Sequence, residues 1–280
     1  MMPNSVCWNI TNCCNDNCLF CYRDKVSKNL NFNEKKIIID KISLSGIRKL
    51  TFAGGEPLLV PEIKTLINYA KSKGIIVSLT TNAILLKDEM LDFSLKNLDW
   101  LTLSLDGATD EMQREMTRNK EHFNRIMKIL NYAANFERKK CKIKINTLIS
   151  SINQDSIIKI ADIIINNPVD RWKLFQFVPL RGNAREYNEK FFISDETFHC
   201  VIKKVEKHLG KEDVLISISG RDSIENAYFV IFPNGDVKIS QYLEDQVIGN
   251  ALVDDLQKLW GNELYQKDLH EKRTKFIREY

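Results

Sequence analysis

The sequence predicts an α/β fold, namely a partial barrel of six β/α units followed by a smaller C-terminal α+β section. Three observations support this prediction. Apolar strands alternate with amphipathic helices over the first 210 residues, polar and apolar residues alternate within the strands, and short strands dominate from about residue 211. We therefore assign residues 1–210 to the barrel and residues 211–280 to a C-terminal cap and extension of the same domain.

The β/α pattern repeats six times. The predicted strands cover residues 5–10, 48–52, 75–81, 100–106, 142–149 and 171–178. The helices that follow them cover residues 33–46, 61–74, 87–97, 122–140, 155–167 and 194–210. Such a pattern is typical of parallel strands joined by right-handed helical crossovers. After residue 211 the sequence predicts strands at 214–219, 227–232 and 236–240, and a short helix at 254–261.

The two faces of the strands indicate a curved sheet. A parallel strand covered by helices on both faces is apolar throughout, whereas here Lys49 and Thr51 alternate with Leu50 and Phe52. Side chains two residues apart share a face, so one face of each strand is polar. An antiparallel sheet with one solvated face would show the same alternation, but the intervening helices favour a partial barrel. Its lumen would be polar and cationic, which suits a large anionic ligand.

The composition narrows the function classes. A chain of 280 residues with 44% apolar and 28% charged residues is typical of a globular protein. The net charge of +4 is mild, and no block of like charges indicates a nucleic-acid partner. No apolar run reaches the length of a membrane span, and the N-terminus lacks a signal-peptide core. We therefore expect a cytoplasmic monomer with reduced thiols and with neither nucleic-acid nor membrane partners.

Four of the seven cysteines lie within residues 13–21. Cys14, Cys18 and Cys21 have the spacing C-x3-C-x2-C, and no second C-x2-C pair accompanies them. Structural zinc usually takes four ligands, often as two separated pairs. A four-iron, four-sulfur cluster held by three cysteines instead leaves one iron open to another ligand. The spacing therefore favours a cluster over zinc.

A second motif, "FAGGEP" at residues 52–57, follows the second strand. Its glycines allow a close backbone approach, and the carboxylate of Glu56 can accept a hydrogen bond from an ammonium group. "TTN" at 80–82 and "SLDG" at 104–107 end the third and fourth strands. Barrel enzymes build their sites at these strand ends.

Together, these motifs resemble those of the radical S-adenosylmethionine (SAM) enzymes, which carry a C-x3-C-x2-C loop after the first barrel strand. The resemblance implies one 4Fe-4S cluster with Cys14, Cys18 and Cys21 as ligands, SAM bound at the open iron, and a flavodoxin- or ferredoxin-type reductant. It further implies a set of SAM-binding residues: Phe20, Gly54, Gly55, Glu56, Ser104 and Arg118. Ser104 and Arg118 would hold the SAM carboxylate.

Within this superfamily the chain is most similar to viperin and its prokaryotic relatives. The similarity lies in "KLTFAGGEPLL", "DRWKLFQ" and "AYFVIFPNG". The sequence has no cysteine after Cys200, so we expect no auxiliary cluster. It implies an antiviral enzyme whose 5′-deoxyadenosyl radical removes the 4′ hydrogen of a ribonucleoside triphosphate, giving a 3′-deoxy-3′,4′-didehydro nucleotide. The implied substrate-binding residues are Lys49, Lys144, Arg171, Lys173 and Tyr228. Tyr228 is also the implied catalytic residue, as a hydrogen donor or as part of the cap.

Two departures from that family leave the choice of nucleotide open. Cys7 stands where the family usually has an asparagine, and "RGNARE" at 181–186 differs from the acidic loop of animal viperins. Two other functions also stay open. One is a radical SAM enzyme that modifies a peptide or a biosynthetic small molecule, because residues 234–260 resemble peptide-maturase C-termini without their cysteines. The other is a non-enzymatic zinc protein.

Overall fold

The structure is a computed structural model that describes most of the chain. The described residues are 2–23, 28–116, 121–137, 139–210, 214–221, 226–241 and 244–274. Their strands are β1 (Ser5–Thr11), β2 (Lys49–Gly54), β3 (Ile76–Thr81), β4 (Trp100–Ser104), β5 (Lys142–Ile149), β6 (Arg171–Gln176), β7 (Leu215–Ser219), β8 (Val230–Ile231), β9 (Asp236–Gln241) and β10 (Glu244–Asn250).

The described α-helices alternate with the barrel strands along the chain and continue after them. They are α1 (Phe32–Leu44), α2 (Ile63–Ser72), α3 (Asp88–Asn97), α4 (Asp110–Glu115), α5 (His122–Ala134), α6 (Ile157–Ile165), α7 (Gly182–Glu186), α8 (Asn188–Phe191), α9 (Asp195–Leu209), α10 (Leu256–Trp260) and α11 (Lys267–Thr274). Local sequence sets several boundaries. The α1 helix, for example, begins at a capping box, in which Asn31 Oδ1 accepts the Glu34 N–H at 3.0 Å and Glu34 accepts the Asn31 N–H at 2.7 Å.

The strands form one open sheet in the order β10-β9-β8-β1-β2-β3-β4-β5-β6-β7. Strands β1 to β7 pair in parallel with their sequence neighbours, and helices connect the first six strands as predicted. The predicted partial β/α barrel is therefore confirmed. No helix in the described ranges combines the length and the hydropathy needed to cross a membrane.

The alternation within the strands separates an apolar core from a polar lumen. On β1, Val6, Trp8 and Ile10 are at most 1% exposed and pack in the hydrophobic core beneath the helices. The residues between them, including Cys7, face the opposite side of the sheet and are half-buried. Each strand therefore contributes one face to the core and the other to the concave side.

Long-range electrostatics show how strongly the sheet curves. Lys49 on β2 and Arg171 on β6 are close enough for the guanidinium to lower the pKa of the lysine. Four strand spacings of about 4.8 Å would separate these strands by about 19 Å in a flat sheet. A curled sheet brings their side chains together over a common lumen.

The C-terminal section joins both edges of the barrel sheet. Strand β7 pairs with β6 at one edge of the barrel strands, while β8 pairs with β1 at the other edge. Strand β8 is shorter than the predicted strand at 227–232, because the Ala227 carbonyl accepts from His270 and Phe232 belongs to the turn before β9. Strand β10 was not predicted, since "EDQVIGN" shows no clear alternation.

Candidate active site

The cysteine loop follows β1 and is anchored by hydrogen bonds to its backbone carbonyl groups. The Cys21 N–H donates to the Cys18 carbonyl at 3.2 Å. From the start of α7, Asn183 Nδ2 donates to the Cys18 carbonyl at 3.0 Å, and the Ala184 N–H donates to the Cys21 carbonyl at 3.1 Å. The "RGNARE" segment after β6 therefore supports the loop that carries the three cysteines.

The donor set of this loop fits an iron–sulfur cluster. Cys14, Cys18 and Cys21 are free thiols, of which Cys18 is buried and the other two are half-buried. Among the described residues, no three His, Cys, Asp or Glu side chains gather tightly enough for a single metal ion. A four-iron cluster takes one thiolate on each ligated iron, so its ligands need not converge on one point. Three free thiols on one anchored loop match that requirement.

The two glycines of "FAGGEP" allow β2 to end against the cysteine loop. The N–H groups of Gly55 and Glu56 donate to the carbonyls of Thr11 and Cys13, both at 2.8 Å. A Cβ atom on Gly55 would lie 2.0 Å from the Cys13 carbonyl oxygen, and Gly54 has a φ of +123°. Side chains at these positions would displace the loop backbone. The predicted contact of both glycines with SAM stays a prediction.

Glu56 is fully buried and accepts hydrogen bonds from its own chain. Its carboxylate accepts from Thr81 Oγ1, from the Asn82 N–H and from the Leu58 N–H, at 2.8, 2.8 and 3.0 Å. Burial raises the pKa of this carboxyl group, while these donors oppose the rise. Glu56 therefore joins the ends of β2 and β3, a role that the sequence did not indicate. Its predicted contact with the SAM ammonium would add to these bonds.

The remaining predicted SAM-binding residues occupy different surroundings. Phe20 is 9% exposed and packs edge-to-face on Phe191, with ring centroids 5.8 Å apart. Ser104 ends β4 and is half-buried beside Asn146 on β5. Arg118 lies outside the described residues. The structure thus brings Phe20, Gly54, Gly55 and Glu56 to the cysteine loop, and it places Ser104 at the same end of the sheet.

The four predicted substrate cations gather in the lumen. Lys49, Arg171 and Lys173 are 6–9% exposed, and Lys144 is half-buried. Lys144 is the register partner of Arg171, and Lys173 is the partner of Asn146 on the same strand as Lys144. The Lys144 ammonium forms no hydrogen bond or salt bridge within the described part of the chain.

Burial and, after it, the neighbouring cations lower the pKa values of the lumen lysines. Burial, and after it the Arg171 guanidinium, lowers the pKa of Lys49 to about 7. Burial likewise holds the pKa of Lys144 well below its usual range, with Lys173 and Arg171 adding to the effect. The pKa of Lys173 is also lowered, by burial and then by Arg273. Burial and mutual repulsion therefore disfavour the charged forms of the lumen lysines.

Tyr228 lies at the centre of a hydrogen-bonded group at the open side of the barrel. Its hydroxyl oxygen accepts from Lys173 Nζ at 2.7 Å and from the Arg273 guanidinium. The guanidinium also donates to Ser219 Oγ and lies 4.5 Å from the centroid of the Tyr228 ring. The structure thus places Lys173 in contact with Tyr228 and adds a fifth cation to the predicted four.

Arg273 was missed by the sequence analysis. It belongs to α11, a helix that does not form part of the β/α pattern, and "HEKRTKF" resembles an ordinary charged helix end. Of its guanidinium nitrogens, Nη1 is buried without a hydrogen-bond partner among the described residues. No sequence signal distinguishes this arginine from the neighbouring surface cations, because only the docking of α11 places it beside Tyr228.

Cys7 and Asn146 also lie on the lumen faces of their strands. Burial raises the pKa of the Cys7 thiol to about 11, and the Lys173 and Lys144 ammonium groups partly oppose the rise. Asn146 Oδ1 is buried without a partner in the described ranges. An unpaired acceptor that faces buried cations suggests that a ligand donor pairs with it.

Comparison with known proteins gives a family match over the barrel. The family model described as the radical SAM superfamily matches residues 8–164, which is more than half of the chain. The matched segment begins within β1 and includes the cysteine loop, the "FAGGEP" motif, and Ser104.

Two relatives carry the same descriptive name. The "S-adenosylmethionine-dependent nucleotide dehydratase" of Lacinutrix mariniflava is 29% identical over 239 residues, covering 79% of this chain and 47% of the relative. The protein with that name from Flammeovirga pacifica is 29% identical over 237 residues, covering 79% of this chain and 77% of the relative. The chain thus spans about half the length of the first relative and about three quarters of the second.

A solved structure shows the same fold. Streptococcus suis SuiB bound to the precursor peptide SuiA superposes with a TM-score of 0.78 at 19% sequence identity, covering 94% of this chain and 65% of that protein. At this level of identity the similarity concerns the fold alone.

Proposed function

The chain belongs to the radical SAM superfamily, whose members use a 4Fe-4S cluster and SAM, and we propose that it is a SAM-dependent nucleotide dehydratase. Its substrate would be a ribonucleoside triphosphate. The 4′ hydrogen would end on 5′-deoxyadenosine, and the 3′ hydroxyl would leave as water after uptake of one proton and of a second electron from the external reductant, so that a 3′-deoxy-3′,4′-didehydro nucleotide forms. The names of the two relatives support this substrate class.

The observation that carries the proposal is the cationic lumen. Five basic side chains reach it from β2, β5, β6 and α11: Lys49, Lys144, Arg171, Lys173 and Arg273. Buried cations are costly unless an anion pairs with them. A triphosphate supplies several negative charges within one small volume, and charge-assisted hydrogen bonds to phosphate are among the strongest in proteins.

The cofactors would bind at the end of the barrel that carries the cysteine loop. Cys14, Cys18 and Cys21 would hold the cluster, and SAM would lie against Gly54, Gly55 and Glu56 with its carboxylate near Ser104 and Arg118. When bound, the cluster and SAM supply a carbon-centred radical that abstracts hydrogen. An external one-electron donor of the flavodoxin or ferredoxin type, in a reducing cytoplasm, would complete the system. We propose a monomer without nucleic-acid or membrane partners.

The residues of the chain would position the nucleotide. Lys144 and Arg171 are register partners, so they would bind the triphosphate from adjacent strands and fix the ribose against the cofactor site. Lys173 and Arg273 both donate to the Tyr228 oxygen, so the phenol hydrogen points away from them, and Ser219 Oγ, 3.5 Å from that oxygen, is one acceptor within the chain. We propose that Tyr228 directs this hydrogen towards the substrate and covers the open side of the barrel.

The protonation of the lysines predicts how binding depends on pH. Because the pKa of Lys49 is about 7 in the ligand-free protein, and a bound polyanion would raise it, binding takes up a proton. Affinity for the nucleotide should therefore fall as the pH rises above about 7, by up to about tenfold per pH unit for each proton taken up. Isothermal titration calorimetry in two buffers of different ionisation enthalpy measures this uptake directly. Proton release on binding would contradict the assignment.

An activity assay tests the proposed function. The anaerobically reconstituted enzyme is incubated with SAM, a reductant and each of the four ribonucleoside triphosphates, and 5′-deoxyadenosine is quantified. At least one triphosphate should stimulate its formation and lose one water, as seen by mass spectrometry, while the matching nucleoside without phosphates should not. If no triphosphate stimulates SAM cleavage, the nucleotide proposal fails, the lumen serves a different anion, and family membership is unaffected.

A further inference from the structure

Asn82, the residue after β3, contacts the cysteine loop from outside it. Its side-chain Nδ2 lies 3.8 Å from Cys14 Sγ and 2.8 Å from Asn15 Oδ1. The residue is only 8% exposed, so water competes weakly for these contacts. The amide thus has one hydrogen for the neighbouring side chain and a second hydrogen for the sulfur of Cys14.

The orientation of this amide is fixed by its other contacts. Asn82 Oδ1 accepts the Ile84 N–H at 3.0 Å, which identifies the oxygen and leaves Nδ2 on the side of the cysteine loop. The Asn82 backbone N–H donates to the buried Glu56 carboxylate at 2.8 Å. Glu56 therefore fixes the backbone of Asn82, and the Ile84 N–H fixes its side-chain oxygen, so that Nδ2 is directed towards Cys14.

We propose that Asn82 is a positioning residue that raises the reduction potential of the iron–sulfur cluster by donating an N–H···S hydrogen bond to Cys14. This inference rests on the proposed role of Cys14 as a cluster ligand. Reduction adds a negative charge that the cluster and its thiolates share. A donor at one thiolate stabilises the reduced cluster more than the oxidised one, and hydrogen bonds to the sulfurs are a recognised determinant of cluster potentials.

The effect should be measurable but moderate, because the nitrogen–sulfur contact is long. Losing one such bond should change the equilibrium constant for cluster reduction by about tenfold. For a one-electron couple this corresponds to a midpoint potential that is lower by about 59 mV. The variant would then be reduced more slowly by a given electron donor.

Two variants and a matched control isolate the hydrogen bond. Asn82→Asp retains an acceptor for the Ile84 N–H but removes both donors, and Asn82→Ala removes the donors without adding charge. Asn29→Ala is the control, because Asn29 Nδ2 lies 3.8 Å from the sulfur of Cys13, which is not a proposed ligand. The full-length proteins are reconstituted anaerobically, their iron and sulfide are quantified, and the midpoint potential is measured by titration monitored with electron paramagnetic resonance.

We expect both Asn82 variants to retain the cluster with a lower midpoint potential, the aspartate variant showing the larger decrease, and the Asn29 variant to match the wild type. Unchanged potentials in the Asn82 variants, or an equal decrease in Asn29→Ala, would overturn the proposal. Loss of iron from both Asn82 variants would overturn it too, because the side chain would then support the loop instead of tuning the cluster. A wild-type protein without any cluster would instead refute the proposed function.

Discussion

Replacing any one of Cys14, Cys18 and Cys21 by alanine is expected to remove the iron–sulfur cluster and to abolish SAM cleavage. The three free thiols are carried by one loop, and its backbone is anchored to the start of α7 and to the end of β2. If each thiol ligates one iron, its loss exposes a second iron at the site. No other described cysteine belongs to this C-x3-C-x2-C spacing, so no substitute ligand is built in.

Iron and sulfide content, the visible absorption spectrum and 5′-deoxyadenosine formation measure this effect. Cys13→Ala is the matched control, because Cys13 is an exposed neighbour on the same loop and its sulfur contacts Asn12 and Asn29. That variant should keep a full cluster. A colourless Cys13→Ala protein, or a brown Cys18→Ala protein, would show that the ligand set is wrong.

The loop illustrates what a sequence pattern can predict. The spacing of the cysteines and the position of "FAGGEP" after β2 indicated two neighbouring motifs, because the ends of adjacent parallel strands meet at one edge of a sheet. The structure adds that Gly55 is required by the Cys13 carbonyl beside it. Such a requirement depends on the separation of two backbones, which a spacing in the sequence does not encode.

The role of Glu56 could not be read from the sequence either. A carboxylate after two glycines matches a SAM contact in the motif, and yet it accepts three hydrogen bonds from its own chain. Two of its donors are backbone N–H groups. Because every residue except proline carries such a group, the residue types in the sequence do not indicate which of them will donate to Glu56. The partnership exists only once β2 and β3 lie side by side.

Some of the lumen cations could be predicted from the sequence, and one could not. Lys49 and Lys144 could be predicted, because a period of two places them on the polar face of their strands. Arg273 reaches the same cavity from α11, whose position depends on contacts between residues far apart in the sequence, such as the bond from His270 to the Ala227 carbonyl. Periodicity describes one element at a time and contains no information about such contacts.

The second large effect, a loss of nucleotide affinity, is expected when Lys144 is replaced. Replacing it by methionine keeps the length and the apolar stem of the side chain but removes the charge, which forms no ion pair with a described residue. A charge-assisted bond to phosphate contributes about 1.5–3 kcal/mol, so nucleotide binding should weaken by roughly ten- to a hundredfold. The ligand-free protein should be at least as stable as the wild type, because burial already disfavours the ammonium at this position.

Substrate-stimulated formation of 5′-deoxyadenosine, the dissociation constant of the nucleotide and the thermal midpoint of the ligand-free protein separate binding from folding. Lys142→Met is the matched control, since Lys142 lies two residues earlier on the same face of β5 but is exposed at the start of the strand. It should bind the nucleotide like the wild type. Lys144→Met should remain brown and still bind SAM, because none of the proposed cluster or SAM ligands lies on β5. Equal nucleotide affinity in the two variants would show that Lys144 does not bind the nucleotide. Weaker binding by Lys144→Met with an unchanged thermal midpoint would show that the lost free energy belongs to the contact with the nucleotide.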